Sequence, residues 1–308
     1  MTHSRILVVF TDLDGTLLDH QTYSSEAASV ALARIGRAEV PLVLCSSKTR
    51  LEIERVRQRL TSFHPFVSEN GAAVFIPPDY FPFAVPGARE RDRYLVLEYG
   101  RPYREVVDLL HRTAARLDVA VVGFSDMSVE EVAEACGLPL ADARLARARE
   151  YDEPFRVVAG GSAARDRLRC GLRRAGLRSV AGGRFDHATG CADKGTSVAQ
   201  LTALYRRVDG RVLTVGLGDS LNDLPLLGEV DIPVIVRNPA AGATAQLRRK
   251  LPAAQVTGVP GPAGWAEAVN RILAGHGVGQ VQLLSARREG GGHGGQGRRG
   301  AATRVRHV

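Results

Sequence analysis

The chain has 308 residues, of which 44% are hydrophobic and 24% are charged, a composition that excludes a wholly disordered chain and a disulfide-stapled mini-protein. The formal net charge is +8, which taken alone favours nucleic acid or an anionic membrane as a partner. Residues 285–308 carry six arginines and one glutamate, hence five of those eight charges, so the basic balance says little about the folded part.

The N-terminal part alternates short apolar runs with amphipathic stretches, a pattern typical of a parallel sheet covered by helices. Residues 6–10 are apolar at every position, which predicts a strand buried on both faces. Asn70 and Gly71 predict a tight turn between two short strands within residues 67–76. The other elements predicted before this turn are a helix, a buried strand and a second helix, over 24–35, 41–45 and 49–60.

A Pro-, Phe- and Tyr-rich stretch over residues 77–86 is predicted to be a linker, after which the pattern becomes that of a smaller α+β unit. Its predicted helices are 102–117, 128–136, 140–149 and 163–175, and its predicted strands are 94–99, 155–159 and 178–185. The earlier pattern then resumes with a helix at 195–206, strands at 212–216 and 232–236, and a helix at 265–273.

These elements predict an α/β protein with a doubly wound, mostly parallel Rossmann-like sheet and an inserted α+β cap domain. The core comprises residues 1–88 and 187–284, and the cap comprises residues 89–186. The Gly/Arg-rich tail, residues 285–308, is expected to be disordered because it lacks the apolar residues needed for a core.

Two carboxylates follow the first predicted strand, at the end where open α/β sheets bind ligands. Asp12 and Asp14 are close enough to repel each other, and Mg²⁺ is the oxygen-preferring cytosolic cation that would keep both ionised. Thr16 offers a hydroxyl to a phosphate oxygen. The alternative is an Asp-Gly turn with capping aspartates.

A second buried strand, over residues 212–216, leads to Asp219, with Asp223 one helical turn further on. Adjacent parallel strands would bring Asp219 beside Asp12 and create a cup of carboxylates. Helix capping is the alternative for Asp219. Capping alone is a poor explanation for two carboxylate pairs at two strand ends.

A serine and a lysine complete the candidate phosphate site. Ser46 follows the second predicted strand, where a hydroxyl and backbone amides at a helix N-terminus favour phosphate binding. Lys194 stands at a helix start, where an ammonium group neutralises transferring oxygens. The chain has only three lysines, the others being Lys48 and Lys250, and this scarcity favours a function for Lys194 over a solvated lysine.

The four cysteines follow no spacing typical of a zinc site or a redox pair. Reduced thiols are therefore expected. The N-terminus has too few apolar residues for a secretory signal, and no apolar run is long enough to span a bilayer. These features predict a cytoplasmic protein without a membrane partner.

The motifs DLDGT at 12–16, SS at 46–47, DKG at 193–195 and GDSLND at 218–223 resemble, in this order, those of the haloacid dehalogenase phosphatase superfamily. The resemblance implies that Asp12 is the nucleophile that takes the phosphoryl group. It implies that Asp14 protonates the leaving oxygen and then activates water.

The same resemblance assigns the remaining motif residues. Ser46 and Lys194 would hold phosphate oxygens. Asp219 would bind Mg²⁺ together with Asp12 and the carbonyl of Asp14, so Mg²⁺ is the implied cofactor. Asn222, also a candidate substrate-binding residue, and Asp223 would support that site.

A narrower resemblance covers most of residues 5–240 and rests on stretches such as PLVLCSSKTRLEIE, PFVSENGAAVFIP and GGRFDHATGCADKG. These are similar to the mannosyl-3-phosphoglycerate phosphatase family. The resemblance implies release of phosphate from a mannosyl- or glucosyl-3-phosphoglycerate to give the glycosylglycerate, a compatible solute.

The glycerate part of such a substrate carries a carboxylate, which favours basic groups on the cap. Arg184 and His187, at the return from cap to core, are the candidates. His187 is equally a buried structural or hinge histidine. Asn70 is a possible substrate contact, but its position favours a turn residue.

Two groups of alternatives stay open at this stage. The substrate could be another sugar phosphate, or the enzyme could be a phosphomutase. In a different class, the tail could bind nucleic acid beside a retired enzyme core, but Asp12, Asp14, Lys194 and Asp219 are all present, which argues against retirement. The sequence does not give the oligomeric state.

Overall fold

The protein is described by a computed structural model that covers residues 5–181, 184–240, 242–275 and 278–279. The tail predicted to be disordered, 285–308, lies outside these residues. The helices are α1 Ser29–Arg37, α2 Arg50–Arg59, α3 Tyr103–Arg116, α4 Val129–Cys136, α5 Leu140–Arg147, α6 Gly161–Arg174, α7 Lys194–Val208, α8 Leu224–Gly228, α9 Ala243–Lys250 and α10 Gly261–Gly275.

The strands fall into one large and one small sheet. They are β1 Arg5–Thr11, β2 Leu42–Cys45, β3 Phe66–Ser68, β4 Ala73–Ile76, β5 Arg89–Arg91, β6 Tyr94–Glu98, β7 Val121–Gly123, β8 Asp152–Val157, β9 Arg178–Ala181, β10 Asp186–Thr189, β11 Val212–Gly218, β12 Ile232–Arg237, β13 Gln255–Pro260 and β14 Val278–Gly279.

The large sheet has ten strands in the order β13-β12-β11-β1-β2-β3-β4-β6-β5, with β14 also paired to β1. Neighbours from β13 to β3 are parallel, whereas β4, β6 and β5 are antiparallel. The carboxyl ends of β2, β1, β11 and β12 therefore lie side by side at one edge, and this edge holds the candidate site.

Helices cover both faces of this sheet, which confirms the predicted doubly wound α/β fold. The alternation along β1 shows why: Leu7 and Val9 pack with α1, α2 and α10, whereas Val8 and Phe10 pack with α7, α8 and α9. A strand with helices on both sides has no solvated face, so every position from Ile6 to Phe10 is apolar.

The small sheet has the order β7-β8-β10-β9 and is antiparallel throughout. One apolar cluster packs α3 and α6 against it, and includes Val106, Leu168 and Phe155. A second cluster joins α4 and α5 through residues such as Val132 and Ala143. The chain enters this inserted unit after Tyr99 and Gly100, whose N–H groups both donate to Ala72 O.

The unit's exit lies beside its entry. A Cβ on Gly190 would come within 3.1 Å of the backbone nitrogen of Arg101. The two connections therefore run next to each other.

Three features of the predicted organisation differ from the structure. The core was predicted to resume at residue 187, but β10, Asp186–Thr189, belongs to the small sheet, because the sequence pattern does not mark where an inserted unit ends. The stretch predicted as a linker, 77–86, instead packs Tyr80 and Phe81 into the large core, because its aromatic side chains are large apolar surfaces that favour burial. The strand predicted for the cap at 94–99 is β6, and both β5 and β6 belong to the large sheet. An apolar strand pattern does not encode which sheet the strand joins, and the small sheet begins only at β7.

Among the described residues, no helix combines the length and the apolar character required to cross a bilayer.

Candidate active site

The first acidic loop is anchored where β1 ends. Asp12 N donates to Leu217 O on the neighbouring β11 at 2.9 Å. The Thr11 hydroxyl donates to Asp12 O at 2.8 Å and accepts from the buried Trp265 Nε1 at 3.0 Å. These bonds fix the backbone from which the Asp12 carboxylate projects.

The second acidic loop follows β11 and is closed by Asp223. Its Oδ2 accepts from the backbone nitrogens of Asp219 and Ser220, both at 3.1 Å. A Cβ on Gly218 would overlap the Asp223 side chain, so glycine is required there. As the adjacent strands predict, Asp12, Asp219 and Asp223 each place a carboxylate oxygen within 4.8 Å of the others.

Lys194 is the cation at the centre of these carboxylates. It is the first residue of α7, its side chain is 1% exposed, and its Nζ lies 2.6 Å from both Asp12 Oδ1 and Asp223 Oδ1. The start of α7 is held against the loop after β3, because Ser197 Oγ donates to Gly71 O at 2.9 Å. The lysine singled out by its scarcity therefore lies in the acidic cluster.

The cluster holds more negative charge than Lys194 balances. Burial, with repulsion from Asp223 second, raises the pKa of Asp12 from 3.8 to about 7. Burial, followed by repulsion from Asp223 and Asp12, raises the pKa of Asp219 to about 8. The ion pairs with Asp12 and Asp223 outweigh burial and raise the pKa of Lys194 above its ordinary value. Further positive charge is needed to keep both acids ionised at neutral pH.

The donor set fits Mg²⁺. All candidate side-chain ligands are carboxylates, whose oxygens are the type of ligand that a hard divalent cation prefers. Asp223 is already engaged by Lys194 and two backbone N–H groups, which leaves Asp12 and Asp219 as the carboxylates to hold the ion. Asp14, two residues after Asp12, contributes the backbone carbonyl that the motif resemblance implies as a further ligand.

Asn238 belongs to the site but was not among the predicted residues. Its Nδ2 donates to Asp219 Oδ2 at 2.6 Å, which orients this carboxylate. Asn238 comes directly after β12, and the prediction stopped at residue 236. The strand-end rule that found Asp12 and Asp219 would have found Asn238 too.

Thr16 and Ser46 both lie at this edge of the sheet. The buried Thr16 hydroxyl donates to Asp219 Oδ1 at 3.4 Å, so its contact in this structure is with a carboxylate. Ser46 follows β2, and its Oγ accepts from Lys48 N at 3.2 Å. Their predicted role in holding phosphate stays a prediction.

Asp14 points away from the three-carboxylate cluster. Its Oδ2 forms an ion pair with Lys48 Nζ at 2.8 Å. Its Oδ1 is buried and has no hydrogen-bond partner among the described residues. A buried acceptor without a partner carries a desolvation cost that a hydrogen-bond donor would relieve.

The remaining candidates lie outside the carboxylate cluster. Arg184 is exposed and its Nη1 donates to Cys136 O at the end of α4. His187 Nδ1 is 2.7 Å from Asp152 Oδ1. Asn222 donates from Nδ2 to Asn70 Oδ1 at 3.5 Å.

Asp152 connects the inserted unit to the loop of Asn70. Its Oδ2 accepts from Asn70 Nδ2 at 3.2 Å, and its Oδ1 binds His187 and lies 3.5 Å from Arg149. Burial would raise the pKa of Asp152, but His187 and then Arg149 and Asn70 lower it below its ordinary value. Asn70 has the predicted positive φ of 60°, and it also contacts both parts of the chain.

Comparison with known proteins agrees with this geometry. Residues 9–81 match the family model of haloacid dehalogenase-like hydrolases. A glucosyl-3-phosphoglycerate/mannosyl-3-phosphoglycerate phosphatase of Methanococcoides burtonii is 43% identical over 232 residues, 75% of this chain and 85% of the relative. A protein with the same name from Persephonella marina is 38% identical over 274 residues, 87% of this chain and 97% of the relative.

The chain belongs to the mannosyl-3-phosphoglycerate phosphatase family. This membership confirms the resemblance read from the motifs, and it identifies the protein as a phosphatase of the haloacid dehalogenase superfamily. A third member of the family, the mannosyl-3-phosphoglycerate phosphatase of Pyrococcus furiosus, is 36% identical over 231 residues, 75% of this chain and 91% of that protein.

Solved structures share the family's fold at much lower identity. The superfamily phosphatase BT1666 of Bacteroides thetaiotaomicron aligns with a TM-score of 0.60 at 18% identity, over 87% of this chain and 95% of its own. The subclass IIB sugar phosphatase BT4131 aligns with a TM-score of 0.58 at 14% identity, over 86% of this chain and 98% of its own. At such identities the likeness shows the fold alone.

Proposed function

We propose that the protein hydrolyses the phosphomonoester of mannosyl-3-phosphoglycerate or glucosyl-3-phosphoglycerate, through a phospho-aspartate at Asp12 and with Mg²⁺ as cofactor. The observation that carries the mechanism is the burial of Lys194 between Asp12 and Asp223. The substrate class is supported by the names of relatives that are 43% and 38% identical. A cytoplasmic location belongs to the same proposal.

In the first step, a carboxylate oxygen of Asp12 attacks phosphorus and the bond from phosphorus to the glycerate oxygen breaks. Asp14 gives its proton to this leaving oxygen, so the glycosylglycerate departs as an alcohol. Lys194 holds the nucleophile in place and lies where it can neutralise charge on the transferring oxygens. Thr16 and Ser46 supply hydroxyls at the same strand ends.

In the second step, Asp14 takes a proton from water, whose oxygen attacks the phosphorus of the aspartyl phosphate. The bond from phosphorus to Asp12 breaks, and inorganic phosphate is released. Asp14 ends protonated and Asp12 ends as a carboxylate, which is the state that begins the next turnover.

Mg²⁺ held by Asp12, Asp219 and the Asp14 carbonyl would supply the positive charge that the cluster lacks, stabilising the oxygens of the transferring group. Asp223 would hold the loop that carries Asp219, and Asn222 would link that loop to Asn70. The inserted unit would act as the cap that excludes water from the reaction.

The mechanism is tested by Asp12→Asn, which keeps the shape of the nucleophile and removes its charge. We expect phosphate release to be abolished while circular dichroism and the unfolding midpoint stay close to those of the wild type. The matched control is Asp166→Asn, an exposed aspartate of α6, which should leave turnover unchanged. Turnover retained by Asp12→Asn would exclude the covalent mechanism.

The substrate is tested by assaying phosphate release from mannosyl- and glucosyl-3-phosphoglycerate, simple hexose phosphates and a hexose bisphosphate. We expect the two glycosylated glycerates to give the highest kcat/KM. A higher value on hexose phosphates would assign another sugar phosphate, and phosphate transfer between positions of one sugar would assign a phosphomutase.

A further inference from the structure

Lys48 is a second lysine at the site, and the mechanism above gives it no role. Its Nζ lies 2.8 Å from Asp14 Oδ2, 3.8 Å from Glu52 Oε1 and 4.9 Å from the centre of the Tyr23 ring. Its side chain is 16% exposed, so the ammonium group is at the mouth of the site rather than in open solvent. With Lys194, two of the chain's three lysines lie at this site.

The segment that carries Lys48 is held from both sides. Its own N–H donates to Ser46 Oγ at 3.2 Å, and the carbonyl of the next residue back, Ser47, accepts from Arg149 Nη1 at 2.8 Å. Arg149 belongs to the inserted unit, between α5 and β8. Lys48 is thus positioned where the core and the inserted unit meet.

The ammonium group of Lys48 can bind one more anion beside the acids that already face it. An ammonium group has three N–H donors, and the described acids in reach are Asp14 and the more distant Glu52. These ion pairs outweigh burial and keep the pKa of Lys48 above its ordinary value. Lys48 is thus a cation at the mouth of the site, beside Asp14.

The position of Asp14 defines where the leaving group binds. A general acid must lie within hydrogen-bond reach of the oxygen it protonates, about 2.6–3.2 Å. Lys48 Nζ lies 2.8 Å from Oδ2 of the same carboxyl group, so it lies within about 8 Å of the leaving oxygen, by the sum of these two distances and the separation of the two carboxyl oxygens. In a 3-phosphoglycerate, two carbon atoms separate the leaving oxygen from the carboxylate, which matches this reach.

We propose that Lys48 binds the carboxylate of the leaving glycerate and so selects a phosphorylated acid over a neutral sugar phosphate. This inference rests on the proposed function. It assigns the discrimination between acidic and neutral substrates to the core side of the site. The competing role is that Lys48 only positions Asp14 through their ion pair. The two roles differ in which substrates a substitution affects.

The experiment compares two substrates that differ only at the carboxylate: mannosyl-3-phosphoglycerate and the matching compound in which the carboxylate is reduced to an alcohol. We expect the wild type to prefer the acid. Lys48→Met should raise KM for the acid and reduce the preference in kcat/KM by about tenfold to a hundredfold, because a hydrogen bond to a charged group is lost. The matched control is Lys250→Met, on the exposed face of α9, which should leave the preference unchanged.

An equal loss of kcat/KM on both substrates would assign Lys48 to positioning Asp14 and overturn the proposal. Lys48→Gln, which keeps an N–H donor towards Asp14, serves as a second variant if Lys48→Met does not fold, and it should lose the same preference. If the wild type discriminates and both variants still discriminate, Lys48 is not the carboxylate ligand. If the wild type hydrolyses neutral sugar phosphates better than either compound, the proposed substrate class itself is wrong.

Discussion

Replacing Lys194 by methionine tests the electrostatic design of the site, because it keeps most of the side-chain volume and removes the charge. The ammonium group makes two contacts of 2.6 Å with carboxylates while its side chain is 1% exposed. Removing one partner of a buried ion pair costs about 3–5 kcal/mol. Removing one charge-stabilising group from an active site lowers kcat by about 10²–10³. We expect Lys194→Met to show both losses at pH 8.

The loss of stability should depend on pH in a defined direction. With Lys194 present, the pKa of Asp12 is about 7 in the folded protein and 3.8 is its ordinary value, so the folded state binds more protons within this window. Stability of the metal-free protein therefore falls as pH rises from about 4 to 7. Without the lysine the pKa of Asp12 rises further, so the destabilisation of the variant relative to the wild type should be larger at pH 8 than at pH 5.

The assays are urea unfolding at pH 5 and pH 8 without divalent cations, and phosphate release at pH 8 with Mg²⁺. Loss of a cation from an acidic site favours Mg²⁺ binding on electrostatic grounds, so the half-saturating Mg²⁺ concentration should not rise. A variant that keeps a tenth or more of the wild-type kcat, or whose destabilisation is the same at both pH values, would contradict this electrostatic role of Lys194.

Three further predictions concern other parts of the fold. Asn238→Ala frees the Asp219 carboxylate and should raise the Mg²⁺ concentration for half-maximal activity by about 10–100-fold; an unchanged Mg²⁺ titration would exclude this role. Gly71→Ala should destabilise the protein by about 2–4 kcal/mol in urea unfolding, because φ is +97° there and a Cβ would overlap the backbone of Asp193; a normal midpoint would contradict this contact. Burial, and after it the charge of Arg57, lowers the pKa of His64 from 6.5 to about 4. The free energy of unfolding of the wild type should therefore fall by at most about 3 kcal/mol as pH drops from 6.5 to 4. His64→Gln should show a shallower fall of this free energy over the same range.

The acidic site was predictable because its residues obey one local rule. Asp12 follows β1 and Asp219 follows β11, and parallel neighbours bring such strand ends together. Thr11 pairs with Leu217 in the register of β1 and β11, and this pairing sets how far Asp12 lies from Asp219. Lys194 was predictable from its chemistry and its rarity in this chain.

The connections between the two parts of the chain were not predictable in the same way. Glu69 illustrates the reason: its carboxylate accepts from the backbone nitrogens of Glu150 and Tyr151 at 3.0 and 2.9 Å. These residues are far apart in the sequence and lack a shared pattern, and the contact exists only once both units have folded. Strand β6 was assigned to the wrong sheet for a related reason, since strand pairing depends on what lies alongside.

The adjacent entry and exit of the inserted unit also bear on how such proteins diversify. Because the exit at Gly190 runs beside the entry at Arg101, a change in the length or sequence of the insertion need alter neither the order of the strands nor the separation of the acids. One contiguous stretch of the gene can therefore be exchanged or rebuilt for a new leaving group, while the phosphoryl-transfer machinery is inherited intact.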